Sequence, residues 1–398
     1  MLSTQKVRQP DLVSWVHFGD LHITTAREEN YQDFLELIEH ANGYLHDGVD
    51  FAVLPGDNTD DGIEAQYQLL QVALAQLQIP VHAIPGDHDA KSGGLDNFRR
   101  YLESEPYRSF RLGNYDFVFL NAVDNRTMGK FGFGQTQLDW LTRELNQATS
   151  EGLKPVLFLH TYPSELISGG DAVRALMRWD RVLFVDMGHT HHNELSNDGT
   201  TIYAATRSTG QIEEGPPGFS IATVDHDVIS WKFKELGPWP FVMITSPADK
   251  NLITDPSKPD QVVRGEVKVR ARVWDERGVR LVVGSIDDEP SKAMYQRNQE
   301  PYWSFVWNSA RVSNGEHVIT VRAINYRDQF AEDRITVLVN QSGSYDPPLR
   351  HPRDEDNAIG AYPSKGILGT RLGPNKNGTK GPWPSWRDRR WRSDLAFG

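Results

Sequence analysis

The chain has 398 residues, 38% hydrophobic and 24% charged, with no cysteine and a formal net charge of −12. This length favours two domains, and the composition suits a protein that builds apolar cores. Without cysteine, disulfides, thiolate nucleophiles, zinc fingers and iron–sulfur clusters are excluded, and the negative charge argues against non-specific nucleic-acid binding.

No apolar run reaches the ~20 residues of a membrane helix, so no membrane partner is expected. The first ten residues lack the apolar core of a secretory signal, so a cytoplasmic location is expected unless a leader has been removed. Charge is uneven: residues 350–398 carry 10 Lys and Arg against 5 Asp and Glu, so the tail is about +5 and the body about −17.

In chain order, apolar runs predict strands at Leu12–Phe18, Phe51–Leu54, Val81–Ile84, Asp116–Asn121, Pro155–His160 and Val182–Met187. Three more are expected at Thr200–Ala204, Phe219–Val224 and Val228–Phe233, read as antiparallel additions to the sheet. Helical periodicity falls between them at Glu28–Leu45, Glu64–Leu77, Gln135–Leu145 and Ala172–Trp179. The alternation predicts an α/β layered domain over residues 1–236. After Gly237-Pro238-Trp239-Pro240 the pattern changes to period 2, as in Val267, Val269, Ala271 and Val273, then Leu281 and Val283, then Trp303, Phe305 and Trp307. Short strands at this spacing predict an immunoglobulin- or fibronectin-like β-sandwich over 237–340. Residues 341–398, rich in Pro, Gly, Asn, Arg and Trp, read as an extended basic tail anchored by Trp383, Trp386 and Trp391.

Five of the apolar runs stop at acids or histidines: Gly19-Asp20-Leu21-His22, Gly56-Asp57-Asn58-Thr59-Asp60, Gly86-Asp87-His88-Asp89, Leu159-His160 and Gly188-His189-Thr190-His191. One such fragment arises by chance in a surface turn. Five in order, each at a predicted strand end, supply enough oxygen and nitrogen donors for two metal ions, with Asp57 the natural bridge. With no thiolate, such a donor set favours Mn, Fe, Zn or Mg.

As a set these motifs resemble the calcineurin-like metallophosphoesterase superfamily, over about residues 12–235. The segment Gly188–Glu194 followed by Asp198-Gly199-Thr200 is similar to its bacterial cyclic-nucleotide and glycerophosphodiester phosphodiesterase branch. The resemblance implies a four-layer α/β/β/α sandwich with metals at the strand ends. It implies that Asp20, His22 and His191 bind one divalent ion, that Asp87, His160 and His189 bind a second, and that Asp57 bridges them. It further implies that His88 donates to the phosphoryl or leaving oxygen with Asp89 orienting its ring, while a metal-bound hydroxide attacks phosphorus. Mn, Zn or Fe are expected as the ions. No tyrosine follows Asp57 as a purple acid phosphatase would require, so no charge-transfer colour is expected. Two positions depart from the pattern: Asp87 stands where the family has Asn, and His160-Thr161-Tyr162-Pro163 where many members have His-His-Pro.

Asn58 and Asp60 are expected to fix the ligand loop. His192, Asn193 and Glu194 follow the last motif and are expected to be solvent-facing loop residues, with a pocket-facing His192 as the alternative, and Arg207 is expected to serve either substrate or a structural ion pair. Asn121 and Asp124 end a strand near the same edge, and His17 and His82 read as core. The sequons at Asn125, Asn340 and Asn377 carry meaning only in a secreted eukaryotic protein. The function expected is hydrolysis of small phosphodiesters, with a broad phosphomonoesterase as the near alternative and a silent binding module as the distant one. The sandwich is expected to pack on the other domain or, with the tail, to mediate homo-oligomers.

Overall fold

A computed structural model of the chain describes residues 11–45, 48–123, 130–179, 182–211, 216–297 and 300–367. In order it runs β1 (Leu12–His17), α1 (Glu29–His40), β2 (Phe51–Leu54), α2 (Glu64–Leu74), β3 (Val81–Ala83), α3 (Asp96–Tyr101), β4 (Arg108–Leu112), β5 (Tyr115–Phe119), β6 (Phe131–Gly132), α4 (Gln135–Ser150), β7 (Lys154–Phe158), β8 (Leu166–Ser168), α5 (Gly170–Trp179), β9 (Phe184–Met187), β10 (Glu194–Asn197), β11 (Ile202–Ala205), β12 (Gly218–Asp225) and β13 (Val228–Glu235). These strands form one sheet of order β13-β12-β1-β2-β3 and another of order β10-β11-β9-β7-β5-β4.

The four layers follow from side-chain alternation along single strands. On β1, Trp15 points between the sheets, where it meets Phe51, Phe117, Phe158 and Phe184, while Val16 points outward under α1 and α2. On β7, Val156 and Phe158 point inward, while Leu157 packs under Leu141 and Leu145 of α4 and Val173 and Met177 of α5. Helix α1 buries Tyr31, Phe34, Leu37 and Ile38 as one stripe; of the apolar residues whose spacing predicts the helix, Leu35 is only half-buried and Leu45 lies past its end. The runs β1-β2-β3 and β5-β7-β9-β11 are each parallel. Their C-terminal ends meet at one edge of the molecule, the usual place for chemistry in such sheets.

The second part comprises β14 (Phe241–Ser246), β15 (Val262–Val263), β16 (Glu266–Trp274), β17 (Val279–Ile286), β18 (Lys292–Ala293), β19 (Trp303–Asn308), β20 (Gly315–Asn325) and β21 (Phe330–Val339). They form two sheets, β14-β16-β19 and β15-β21-β20-β17-β18, closed over Val269, Ala271, Phe305, Ile319, Val321 and Val337. This sandwich packs on the first part through Trp239, Phe241, Met243 and Trp274, which join the core under α1. Arg270 donates to the Asp225 carboxylate at 2.7 Å, and Arg272 to the Ser14 hydroxyl at 2.6 Å.

Several expectations are corrected. The strand after Gly199 runs parallel to β9; its antiparallel partner is β10, a short polar strand that carries no apolar run to betray it. Strand β4 and helix α3 also escaped the sequence patterns. On β17 the inward residue is Val282 and Leu281 is exposed, because a bulge between Val279 and Leu281 shifts the alternation. His82 is half-buried, since β3 is an edge strand, and stacks on Phe110 at 4.5 Å. His17 is fully buried, with Nδ1 2.7 Å from Asp186. Asp124, Asn125, Asn377, Trp383, Trp386 and Trp391 lie outside the described residues. Among those described, no helix is long and apolar enough to cross a membrane.

Candidate metal centre

Asp20 and His22 follow β1, Asp57 follows β2, Asp87 and His88 follow β3, His160 follows β7, and His189 and His191 follow β9. The structure brings all eight together at the shared strand edge. Asp57 lies between two histidine sets: Oδ2 is 3.5 Å from His22 Nε2, and Oδ1 is 3.5 Å from His160 Nε2. On one side His22 Nε2 lies 3.2 Å from His191 Nε2, which is 3.7 Å from Asp20 Oδ2. On the other, Asp87 Oδ1 lies 3.6 Å from His160 Nε2 and 4.0 Å from His189 Nδ1.

These separations suit a shared cation better than hydrogen bonds. Donors about 2.0–2.2 Å from one ion are roughly 3.0–3.5 Å apart. The tautomers agree. His160 Nδ1 lies 2.8 Å from the Pro55 carbonyl, to which it can only donate, so Nε2 presents a lone pair. That Nε2 is buried with no hydrogen-bond partner among the described residues. His22 Nδ1 meets Asp60 Oδ1 at 3.1 Å, so its Nε2 lone pair faces His191. Lone pairs and carboxylates pointing at a common space repel unless a cation sits there.

Electrostatics point the same way. Burial lowers His22 to about 4, with His191 and His88 adding to the shift over the opposing pull of Asp57. Burial, reinforced by His160, likewise lowers His189 to about 4, so both imidazoles are neutral near pH 7. Burial would raise Asp57, but His160, His22 and His88 outweigh it and hold the carboxyl well below its usual range. His160 is raised despite its burial because Asp57, Asp87 and Asp20 surround it; their field favours a cation at Nε2, whether proton or metal.

Three donor groups could each hold an ion: His22–Asp57–His191, Asp87–His160–His189 and His22–Asp60–His88. The third is disfavoured by Lys91, whose ammonium is 2.5 Å from His88 Nδ1 and 3.9 Å from Asp60. A second cation there would meet the first. Lys91 escaped the sequence reading, because no motif marks it until the His88 turn and the Asp60 loop meet. Gln211, 3.3 Å from His22 Nδ1, was missed as well, for want of any motif.

The expected Asp89–His88 pairing is corrected. Asp89 is fully buried and accepts from the backbone of Asn58, Thr59 and Gly86 and the side chains of Asn58, Thr59 and Tyr67, at 2.8–3.2 Å. It ties the Asp57 loop to the Asp87 loop. The His88 ring meets Asp60 instead, with Nδ1 2.9 Å from the carbonyl and 3.1 Å from Oδ1, while the His88 N–H donates to Asp57 at 2.9 Å. His88 and Asp89 lie on one 3₁₀ turn, His88–Ala90, where consecutive side chains point about 120° apart.

His192, Asn193 and Glu194 are buried, not solvent-facing. Glu194 accepts from the Tyr162 hydroxyl at 2.9 Å, and Thr161 bonds Glu165, so the departure at Thr161-Tyr162 is absorbed inside the fold. Arg207 is buried in an ion pair with Glu235 at 2.9 Å and lies over the Phe233 ring, the structural alternative. Asn58 donates to the Ile84 carbonyl at 2.9 Å, and Asn121 accepts at its carbonyl from Gln137 at 2.7 Å.

Comparison with known proteins gives the following. Residues 14–193 match the family model described as calcineurin-like phosphoesterase, and residues 240–321 match the bacterial Ig domain. The chain is similar to a 3′,5′-cyclic-nucleotide phosphodiesterase of Nostoc sp., 26% identical over 52% of this chain and 86% of that protein. It is also similar to a probable glycerophosphodiester phosphodiesterase of Arcobacter nitrofigilis, 28% identical over 44% of this chain and 71% of that one. A dimetal phosphatase from Danio rerio superposes with a TM-score of 0.47 at 15% identity, over 56% of this chain and 96% of that chain.

Proposed function

The chain carries a calcineurin-like metallophosphoesterase domain followed by a bacterial Ig domain, and on that premise we propose that it is a binuclear metal-dependent hydrolase of small phosphodiesters. The observation that carries this is the Asp57 carboxylate, with one oxygen toward His22 and the other toward His160. Asp20, His22 and His191 would hold one divalent ion, Asp87, His160 and His189 the other, with Asp57 shared. Mn, Zn and Fe all suit this donor set. The division taken with it is 1–236 for the catalytic part, 237–340 for the sandwich and 341–398 for the tail. Bound ions supply Lewis acidity for the phosphoryl oxygens and acidify a water molecule.

The protein's own groups do the rest. Asp60 and Lys91 hold the His88 ring beside His22, with ring centroids 4.4 Å apart. The His88 Nδ1 edge faces both the Lys91 ammonium and the Asp60 carbonyl and carboxylate; in the tautomer that accepts from Lys91 at Nδ1, the ring carries its proton on Nε2, where it would stabilise the departing alkoxide. Asp89 and its six bonds keep the Asp57 and Asp87 loops in register. Names of relatives favour diesters, and so does charge: two divalent ions against Asp20, Asp57 and Asp87 leave +1, one less than with Asn at position 87. A less positive centre attracts a monoester dianion less than a more positive one does.

The test is hydrolysis of bis(p-nitrophenyl) phosphate against p-nitrophenyl phosphate by apoprotein reloaded with Mn(II), Zn(II) or Fe(II). A diester preference that weakens in Asp87→Asn is expected. A monoester preference in the wild type would overturn the substrate class and leave the metal ligands standing.

A further inference from the structure

Beyond the sandwich, residues 350–367 pack back onto the molecule beside the candidate metal edge. Arg350 pairs with Asp198, Ser164 bonds Glu355, and the Ile359 N–H donates to the Leu195 carbonyl at 3.0 Å. Ala358 and Ser196 form an antiparallel bridge, so this segment covers the open edge of β10. Tyr362 then bonds Asp249, and the buried Lys365 ammonium pairs with the buried Asp333 at 2.7 Å, beside Lys232. Ile367 ends in the core between the two catalytic sheets. The described part of a segment that composition marks as linker, residues 350–367, is therefore fastened to the sandwich and to both catalytic sheets.

At Gly366 the segment bonds a residue two positions from a candidate ligand. Asn193 Nδ2 donates to the Gly366 carbonyl at 3.1 Å, while Asn193 Oδ1 accepts from the Arg207 N–H at 2.9 Å. Arg207 is the point where two ligand loops are held. Its carbonyl lies against Gly19, where a Cβ would come within 2.1 Å of it, so β1 can turn into Asp20 only with glycine there. From the same loop Ser208 Oγ donates to the Asp20 carbonyl at 2.8 Å, the Gly210 N–H to the same oxygen at 2.9 Å, and the Ser208 N–H to the His191 carbonyl at 3.4 Å. Gly366 itself has a φ of 83°, and a Cβ there would lie 2.7 Å from Phe233 Cβ. The strap, Asn193 and the Arg207 loop are one contiguous set of contacts ending on Asp20 and His191.

We infer that Asn193 is a positioning residue for the ion held by Asp20, His22 and His191, and that the C-terminal segment 354–367 is part of that centre's support through Gly366. The inference rests on the metal-centre reading above but depends on different residues. It gives the sandwich a role beyond packing, since Asp333 and Asp249 anchor the strap at its far side.

The test uses the full-length chain with Asn193→Asp, Asn193→Ala and Gly366→Ala, and Lys292→Ala as control, since Lys292 pairs with Glu289 on the exposed β17–β18 edge of the sandwich. Asn193→Asp keeps an acceptor for the Arg207 N–H, replaces the donor to the strap by an acceptor and adds a negative charge, so Asn193→Ala and Gly366→Ala serve as the charge-neutral comparisons. Amide exchange of residues 189–195 and 206–211 is measured in metal-free protein, and Mn(II) affinity by titration calorimetry. Asn193→Asp and Gly366→Ala are expected to speed exchange in both segments and weaken Mn(II) binding on the order of tenfold, as outer-shell contacts do, with Asn193→Ala larger. The control should match wild type. Exchange and affinity unchanged in Asn193→Asp and Gly366→Ala would overturn the inference and leave the strap as an edge cover. Wild-type protein that binds no Mn(II) would sink the metal reading instead, while exchange would still decide the strap.

Discussion

At the C-terminal edge of the catalytic sheets, His22, Asp57, His189 and His191 have φ values of 44°, 49°, 65° and 59°. Among the described residues, the other non-glycine positions with positive φ, His226, Asp287 and Asp328, sit in turns between strands, two of them in the sandwich. The sandwich buries aliphatic and aromatic side chains with regular alternation. The metal edge instead buries Asp20, His22, Asp57, Asp87 and His160, on a backbone whose left-handed residues cost about 1 kcal/mol or more each. That cost is offset locally by dense hydrogen bonding, above all to Asp89. The sandwich core thus contributes stability without shaping the donor edge, whereas at the edge the two are coupled, and substitutions in the two regions should separate them.

The largest effect is expected at Asp57. Asp57→Ala should lower activity by about a thousandfold or more, since it leaves two cations facing each other without an anion; steady-state hydrolysis at saturating metal checks this. Asp89→Ala strands six donors and should cost about 3–5 kcal/mol in chemical unfolding, with a large loss of metal affinity. Val337→Ala in the sandwich core should cost about 2 kcal/mol and leave metal affinity unchanged. If both weakened metal binding alike, the separation of the two regions would fail.

Lys91→Ala is expected to lower kcat by about tenfold to a hundredfold with metal content unchanged, and Lys91→Arg to recover part of it. Esters with poor alkoxide leaving groups should suffer more than p-nitrophenyl esters, because the His88 proton matters most there. An equal loss for every leaving group would count against that role.

The smallest effect lies away from the metal edge. Asp116 on β5 is buried, and burial, reinforced by Glu144 and Glu151, raises its carboxyl to about 7. A folded value above the unfolded one means the native state binds more protons between about pH 4 and 7, so this contribution to stability is full below pH 4 and lost as pH rises through 7. Asp116→Asn should flatten the fall and raise stability at pH 8 by on the order of 1–2 kcal/mol, read from unfolding midpoints at pH 5 and pH 8.

Much of this was legible in the sequence because it is local. Apolar runs that stop at Asp or His mark both a strand and its functional end, so the residues now gathered at one edge could all be named. Periodicity likewise gave α1, α2, α4 and most of the sandwich strands. What was not legible depends on contacts across the chain. Asp89 looks like a partner for His88 because they are adjacent, yet the turn sends it to Asn58, Thr59 and Tyr67. Nothing in Lys91 or Gln211 announces a site until the loops meet. Asn193 reads as a surface loop residue until Gly366, 173 positions later, is seen to bond it.

The most direct test is a count of bound metal on protein stripped and reloaded with Mn(II), by elemental analysis against protein concentration. Two ions per wild-type chain, falling to one or fewer in Asp57→Ala, are expected. One ion per chain in the wild type, or two that survive the loss of Asp57, would contradict the shared-carboxylate centre.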